Sequence, residues 1–219
     1  MNEFLFLFHI ILTLLCCQAA LLLGKEALQV WVVLQPILAN VFVLKQISLF
    51  GFIVTSSDVY IVGSVFGLNF LQEFFGKEHA KRASLLSLYA LGFFCIFSVI
   101  HLFYIPSVHD TAHASYEALF SYTPRIIFAS IATFALVQRF DIFFFSILKK
   151  TKYNLFIRNF ISLFVSQFLD TLLFTLLGLW GIVASLFDVF LVSFLVKLLC
   201  IIILVLLSPR KYRDEVISL

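Results

Sequence analysis

Charge is what this sequence has least of. Only 12% of its 219 residues are Asp, Glu, Lys or Arg, against 63% apolar residues, and the mean hydropathy is +1.11. A soluble domain of this length exposes too much surface to be covered by so few charges, which excludes that class. Cysteine is also scarce. Cys16, Cys17, Cys95 and Cys200 all lie in apolar runs, without CxxC spacing and away from histidines. Metal and thiol-redox motifs are therefore absent, and these thiols read as small apolar packing residues. His109 and His113 stand at i, i+4, but in a polar connection that reads as a solvated loop. There is no HExxH, no GxSxG, no phosphate-cradling glycine loop and no serine–histidine pair inside an apolar run. The chain is read as a non-enzyme without cofactor or metal. Its formal charge of +3 is too small to argue for nucleic acid.

What is abundant is apolar length. The runs are continuous, without the alternation of a membrane β-barrel, and long enough to cross a bilayer as helices. The expectation is an all-α, polytopic membrane protein, one domain over residues 1–219, with about seven spans near 4–23, 27–44, 58–75, 84–105, 124–148, 158–180 and 182–207. The first run follows Glu3 with no basic residue and no cleavage site, so it reads as a retained span rather than a signal peptide. Residues 48–57 are candidates for a loop dipping back into the protein. The polar connection 107–122 has room for a short amphipathic helix, and Pro124, with Ser121 and Thr123 as caps, starts the next span. Gly181 makes a minimal turn, and Ser208-Pro209 ends the last span.

The basic residues alternate from connection to connection. Lys25 lies in the first, Lys77, Lys81 and Arg82 in the third, Lys149, Lys150, Lys152 and Arg158 in the fifth, and Arg210, Lys211 and Arg213 in the tail. The opposite connections hold only Lys45 and Arg125, both at span ends. With seven spans the positive-inside rule places the N-terminus outside and the C-terminus in the cytoplasm.

Polar residues inside the spans mark the chemistry: Asn40, Asn69, Glu73, Arg125, Gln138, Asp141, Gln167, Asp170 and Lys197. An ionisable side chain at bilayer depth costs about 2.5–3.5 kcal/mol on insertion scales, so it faces a bundle interior or a watery cavity. Asn159, Ser162, Ser166 and Asp170 share one face of the sixth run, flanked by Gln167 and Thr171. Lys197 lies too deep to snorkel and suits a buried aspartate, Asp170 or Asp188. Bland readings stand beside these. Lys197 with either aspartate makes a structural ion pair, Glu73 pairs with Lys77 at the membrane edge, and Asp141 with Arg139 sits near headgroups.

The blocks NVFVLKQISLFG, NFLQEFFGKEHAKRA, PRIIFASIATFALVQRFDI and SLFVSQFLDTLLF, in that order over roughly residues 40–209, resemble the queuosine-precursor transporters, also called vitamin-uptake-like transporters. Ser166-Gln167-x-x-Asp170-Thr171 is the most specific block, and Lys197 fits as well. Asn69 departs from the pattern, since the family usually has aspartate there, so a hydrogen-bonding role for position 69 survives and an ionic one does not.

The resemblance implies uptake of a 7-deazaguanine (preQ0, preQ1 or queuine) across the bacterial inner membrane, with the lipid bilayer and this small molecule as partners. A homo-oligomer or an energising partner stays open. A guanine-like edge offers two adjacent donors to a carboxylate and one acceptor to an amide or lysine. Asp170 suits the first role; Gln167 and Asn40 suit the second. Ser166, Asn69, Glu73, Arg125 and Lys197 complete the candidate set. Another vitamin or nucleobase, or a membrane assembly protein whose polar residues only join helices, are the alternatives.

Overall fold

Apolar backbone in lipid must satisfy its own hydrogen bonds, and these runs do so as helices. The structure is a computed structural model that describes residues 1–42, 45–55, 57–120, 124–181 and 186–207. In chain order the elements are α1 (Asn2–Leu22), α2 (Lys25–Phe42), β1 (Gln46–Leu49), β2 (Phe52–Thr55), α3 (Asp58–Phe70, continued by a π-helical turn Leu71–Phe75), α4 (Lys77–Leu102), α5 (His113–Phe120), α6 (Pro124–Leu148), α7 (Leu155–Leu179) and α8 (Leu186–Leu207). The all-α expectation holds apart from one short hairpin. Among the described residues five helices are long and apolar enough to cross a membrane: α1, α4, and the segments Phe128–Leu148, Leu155–Gly178 and Val189–Leu206. The other two expected spans differ in kind. α2 opens on Lys25-Glu26 and carries Gln29, Gln35 and Asn40, while α3 is only 13 residues long before its π-helical turn.

α3 is the element the others surround. Only Tyr60 and Ile61 of its residues are not buried. A helix buried on all sides belongs at the centre of a bundle, and this one packs against α1, α2, α6, α7 and α8. Its glycines permit the close approach. A Cβ on Gly67 would lie 2.9 Å from Val32 Cγ2 and 3.0 Å from Trp31 Cδ1. Gly67→Val is therefore expected to destabilise the protein by about 1–3 kcal/mol through overpacking, read as a lower melting midpoint in detergent; an unchanged midpoint would refute the α2–α3 contact.

Pro36 sits inside α2 and leaves the Val32 carbonyl without its helical donor. The Ser87 hydroxyl of α4 approaches that carbonyl at 3.4 Å, and Asn40 Nδ2 donates to the Pro36 carbonyl at 2.9 Å. The proline is accommodated by side chains, as membrane helices allow.

Three expectations are corrected. The basic loop at 76–82 is no loop: α4 begins at Lys77, and Gly76 alone, at φ +98°, makes the break, a conformation glycine adopts without strain. Lys77, Lys81 and Arg82 are thus on its first turns. Residues 46–55 form an antiparallel hairpin rather than a loop dipping inward. It is tied to the start of α1, where Asn2 Nδ2 donates to the Ser48 carbonyl (3.0 Å) and the Phe50 N–H to Glu3 Oε1 (3.3 Å). α7 starts at Leu155 rather than 158, because Asn154 Oδ1 caps it by accepting from the Ile157 N–H at 2.9 Å.

α6 begins at Pro124 as expected, and 113–120 forms the short helix of the polar connection. The proposed caps Ser121 and Thr123, the turn at 182–185 and the tail 208–219 lie outside the described residues. Contacts between Gln29 and the His79 carbonyl, and between Glu73 and both Arg158 and Lys149, bring the α2, α4 and α7 starts to the same end as the α3 and α6 ends. The basic residues at those termini share one face of the bundle.

Candidate functional site

The sixth apolar run became α7, and its polar face divides between two neighbours. Toward α8, Lys197 Nζ donates to Asp170 Oδ2 at 2.5 Å and to Thr171 Oγ1 at 3.2 Å. The same ammonium stands 3.7 Å from Asp58 Oδ1, at the start of α3, and Ser193 Oγ lies 3.4 Å from Asp58 Oδ2. Lys197 therefore has the aspartate partner expected of it in Asp170, and a second in Asp58. Asp188, the other expected partner, has a side chain outside the described residues.

Toward α6, Ser162 and Ser166 both donate to Asp141 Oδ1, at 2.6 and 2.7 Å. Asp141 is fully buried, so the headgroup reading of this residue is corrected: two hydroxyls from α7 hold it inside the bundle. Its Oδ2 has no partner among the described residues. Nearby, Gln138 Nε2 lies 3.3 Å from Ser64 Oγ of α3 while its Oε1 is unmatched. Asn69 lies between Ser64, which meets Gln138, and Gln72, whose Nε2 donates to the Ile142 carbonyl at 3.0 Å. It is therefore level with the turn of α6 that carries Asp141.

Asn69, Asn159 and Gln167 are completely or almost completely buried, and neither polar end of any of them finds a partner among the described residues. Gln35 Oε1, beside Gly63, is in the same condition. Each unmatched buried polar group costs about 1–3 kcal/mol, so such groups ordinarily meet water or a ligand. The junction of α3, α6 and α7 is thus rich in amides whose hydrogen-bonding capacity is unused among the described residues.

Glu73 belongs elsewhere. Its carboxylate takes both Arg158 terminal nitrogens at 2.9 Å, with Lys149 at 3.6 Å. Lys149 also donates to the Gln72 and Glu73 carbonyls at 2.8 and 3.3 Å, satisfying backbone groups that the π-helical turn leaves open. Arg158 and Lys149, rather than the expected Lys77, are the partners of Glu73. The stretch of α7 from Arg158 to Asp170 measures roughly 18 Å at the helical rise, so Glu73 and Asp170 do not share a site.

Of the remaining candidates, Ser166 is committed to Asp141 and Asn40 to its own helix. The Arg125 side chain lies outside the described residues. Among those residues no cluster of His, Cys, Asp and Glu could hold a metal ion. Asp58 as a partner of Lys197, Ser64 as a partner of Gln138, and the buried Gln35 are what sequence reading missed. The one available signal was that Asp58 heads an apolar run directly, with no loop between it and the buried residues that follow.

Residues 55–208 match the family described as "Putative vitamin uptake transporter". The chain is also 28% identical over 182 residues, 82% of its own length and 78% of the other's, to a protein of Bacillus subtilis (strain 168) named "Probable queuosine precursor transporter". No solved structure matches it. The resemblance read from the sequence blocks is borne out at the level of the family.

Proposed function

Since the chain belongs to the vitamin uptake transporter family and is a multi-pass membrane protein, we propose that it carries a queuosine precursor, a 7-deazaguanine such as preQ0, preQ1 or queuine, across the bacterial inner membrane. The name of the Bacillus subtilis relative favours this substrate class. The observation that carries the reading is Gln167: a fully buried amide with both ends unpartnered among the described residues, one helical turn from Asp170, in a family of carriers.

In this reading the flat base lies between α3 and α7. Asp170 accepts from the adjacent ring and amino N–H groups of its guanine-like edge, and the amides of Gln167 and Asn69 meet its carbonyl and remaining polar atoms. Asp170 is the least enclosed member of its ion cluster, and in this reading its second oxygen faces the base. Gln138 and Gln35 extend the amide layer toward α6 and α2. A site between helices near the bilayer midplane fits alternating access.

All seven long helices span the membrane in this account, with α3 shielded by the others, the N-terminus outside and the C-terminus cytoplasmic. The collection of basic termini on one face supports that orientation. A reporter fused after Leu219 should be active only in the cytoplasm; activity outside would invert the topology.

Binding tests the site directly. Purified protein in lipid nanodiscs should bind preQ0 in calorimetry, with adenine failing to compete. Gln167→Leu and Asn69→Leu should each weaken binding by about 1–3 kcal/mol, roughly 5- to 150-fold. Neither should destabilise the unliganded protein, because each removes a buried amide with no partner among the described residues. Equal binding of adenine and preQ0, or unaltered binding in both variants, would sink the assignment.

A further inference from the structure

Two carboxylates and one ammonium meet where α3 begins, and their charges do not cancel. Asp58, Asp170 and Lys197 have side chains 9%, 13% and 5% exposed, and fully ionised they leave one negative charge over. An uncompensated charge held away from water in a membrane bundle costs several kcal/mol. No second cation among the described residues stands within ion-pair distance of either carboxylate. Among the described residues the other titratable groups around the cluster are the Cys200 thiol, in electrostatic reach on α8, and, within the first turn of α3, Tyr60, whose ring meets His9 of α1 at 4.8 Å. None supplies a positive charge matched to the two acids.

A metal ion does not fit this cluster. The place it would take is filled by the Lys197 ammonium, which approaches both carboxylates and the Thr171 hydroxyl. A proton fits, and the geometry distinguishes the two acids. Asp170 is held by a 2.5 Å charge-assisted bond, whereas Asp58 stands 3.7 Å from the ammonium, beyond hydrogen-bonding distance, with the Ser193 hydroxyl at 3.4 Å. Asp58 is the weaker-held carboxylate and the one that takes the proton.

We propose that Asp58 binds one proton from solution and that the Asp58–Lys197–Asp170 triad couples its movement to that of the base, making the protein a proton symporter that carries one proton per base. This rests on the base-transport reading above. The proton adds to a carboxylate oxygen of Asp58 on one side of the membrane and leaves that oxygen on the other, and no bond of the base is made or broken. The loaded triad is electrically neutral and can be enclosed as the bundle closes around the base; the unloaded triad keeps its charge and stays open to water. Asp170 connects the two events, since it partners Lys197 and stands one turn from Gln167.

Two measurements on the reconstituted full chain test this, the first without any substrate. Infrared spectra taken across a pH titration should show the C=O stretch of a buried carboxylic acid that disappears as the pH rises. The spectra are taken in an Asp141→Asn background, because Asp141 is itself a fully buried carboxyl with no cation beside it among the described residues; in that background Asp58→Asn should remove the band. In the second, proteoliposomes free of sodium, with the membrane potential clamped by potassium and valinomycin, receive preQ0, which is neutral and carries no charge of its own. An outside-acid gradient of one pH unit should sustain an accumulation ratio of about tenfold in the wild type. Asp58→Asn, which keeps the Lys197–Asp170 pair and therefore the fold, should still exchange labelled for unlabelled preQ0 but should accumulate none. A titrating band that survives Asp58→Asn in the Asp141→Asn background, or accumulation that follows a sodium gradient and ignores pH, overturns the proposal. If the band is lost in Asp58→Asn but no preQ0 moves under any condition, the proton site stands and the choice of substrate falls.

Discussion

Lys197→Met is expected to cost the folded protein about 3–5 kcal/mol. The reason is the partner count. Among the described residues Lys197 is the one cation shared by Asp58 and Asp170, and methionine fills a similar volume while leaving both carboxylates buried without a counter-charge. Each must then take up a proton or draw water into the bundle. The variant should yield little monodisperse protein in detergent, with a sharply lowered melting midpoint. Adding Asp58→Asn and Asp170→Asn to it removes the stranded charges and should recover most of the stability, without recovering transport. A Lys197→Met protein as stable as the wild type would show that these groups are solvated, and the triad would lose its significance.

Asp170→Asn is expected to separate folding from function. Lys197 retains Asp58, so a neutral ion pair replaces the triad and the protein should reach the membrane in normal amount. What is lost is a charge-assisted acceptor for the base, a bond worth about 1.5–3 kcal/mol, or roughly 10- to 150-fold in affinity. Uptake at low substrate concentration should fall by about that factor, and its dependence on the pH gradient should disappear as well, since no surplus charge then calls for a proton. Uptake within twofold of wild type at equal expression would remove Asp170 from the binding site and leave it as helix glue.

Much of the architecture was legible in the sequence because it is set locally. Run length located the long helices, Pro124 marked the start of one, and the three–four–four spacing of Asn159, Ser162, Ser166 and Asp170 placed them on one face of α7. Partnership was less legible, because spacing along one helix says nothing about which helix stands opposite. That face meets two neighbours: its serines turn to Asp141 on α6 and its aspartate to Lys197 on α8. Asp58 looked like the first residue of a span, and only the packing of α3 between α7 and α8 makes it the third ion of the cluster. Glu73 had a lysine at i+4 in Lys77, yet the π-helical turn and the break at Gly76 leave it to Arg158, far away in sequence. The first basic stretch was read as a loop because charge usually signals one, whereas a single glycine at positive φ suffices to start α4 at Lys77.

The most direct test of the account is uptake in a bacterial host that lacks its own queuosine synthesis and transport. preQ0, preQ1 and queuine are supplied separately, the last with an enzyme able to salvage or insert it, and queuosine in tRNA is measured with and without this chain. The account predicts that at least one of the three restores queuosine when the chain is present, and that Asp170→Asn at equal membrane abundance returns it close to background. No queuosine from any of the three, with the protein demonstrably in the membrane, would contradict it.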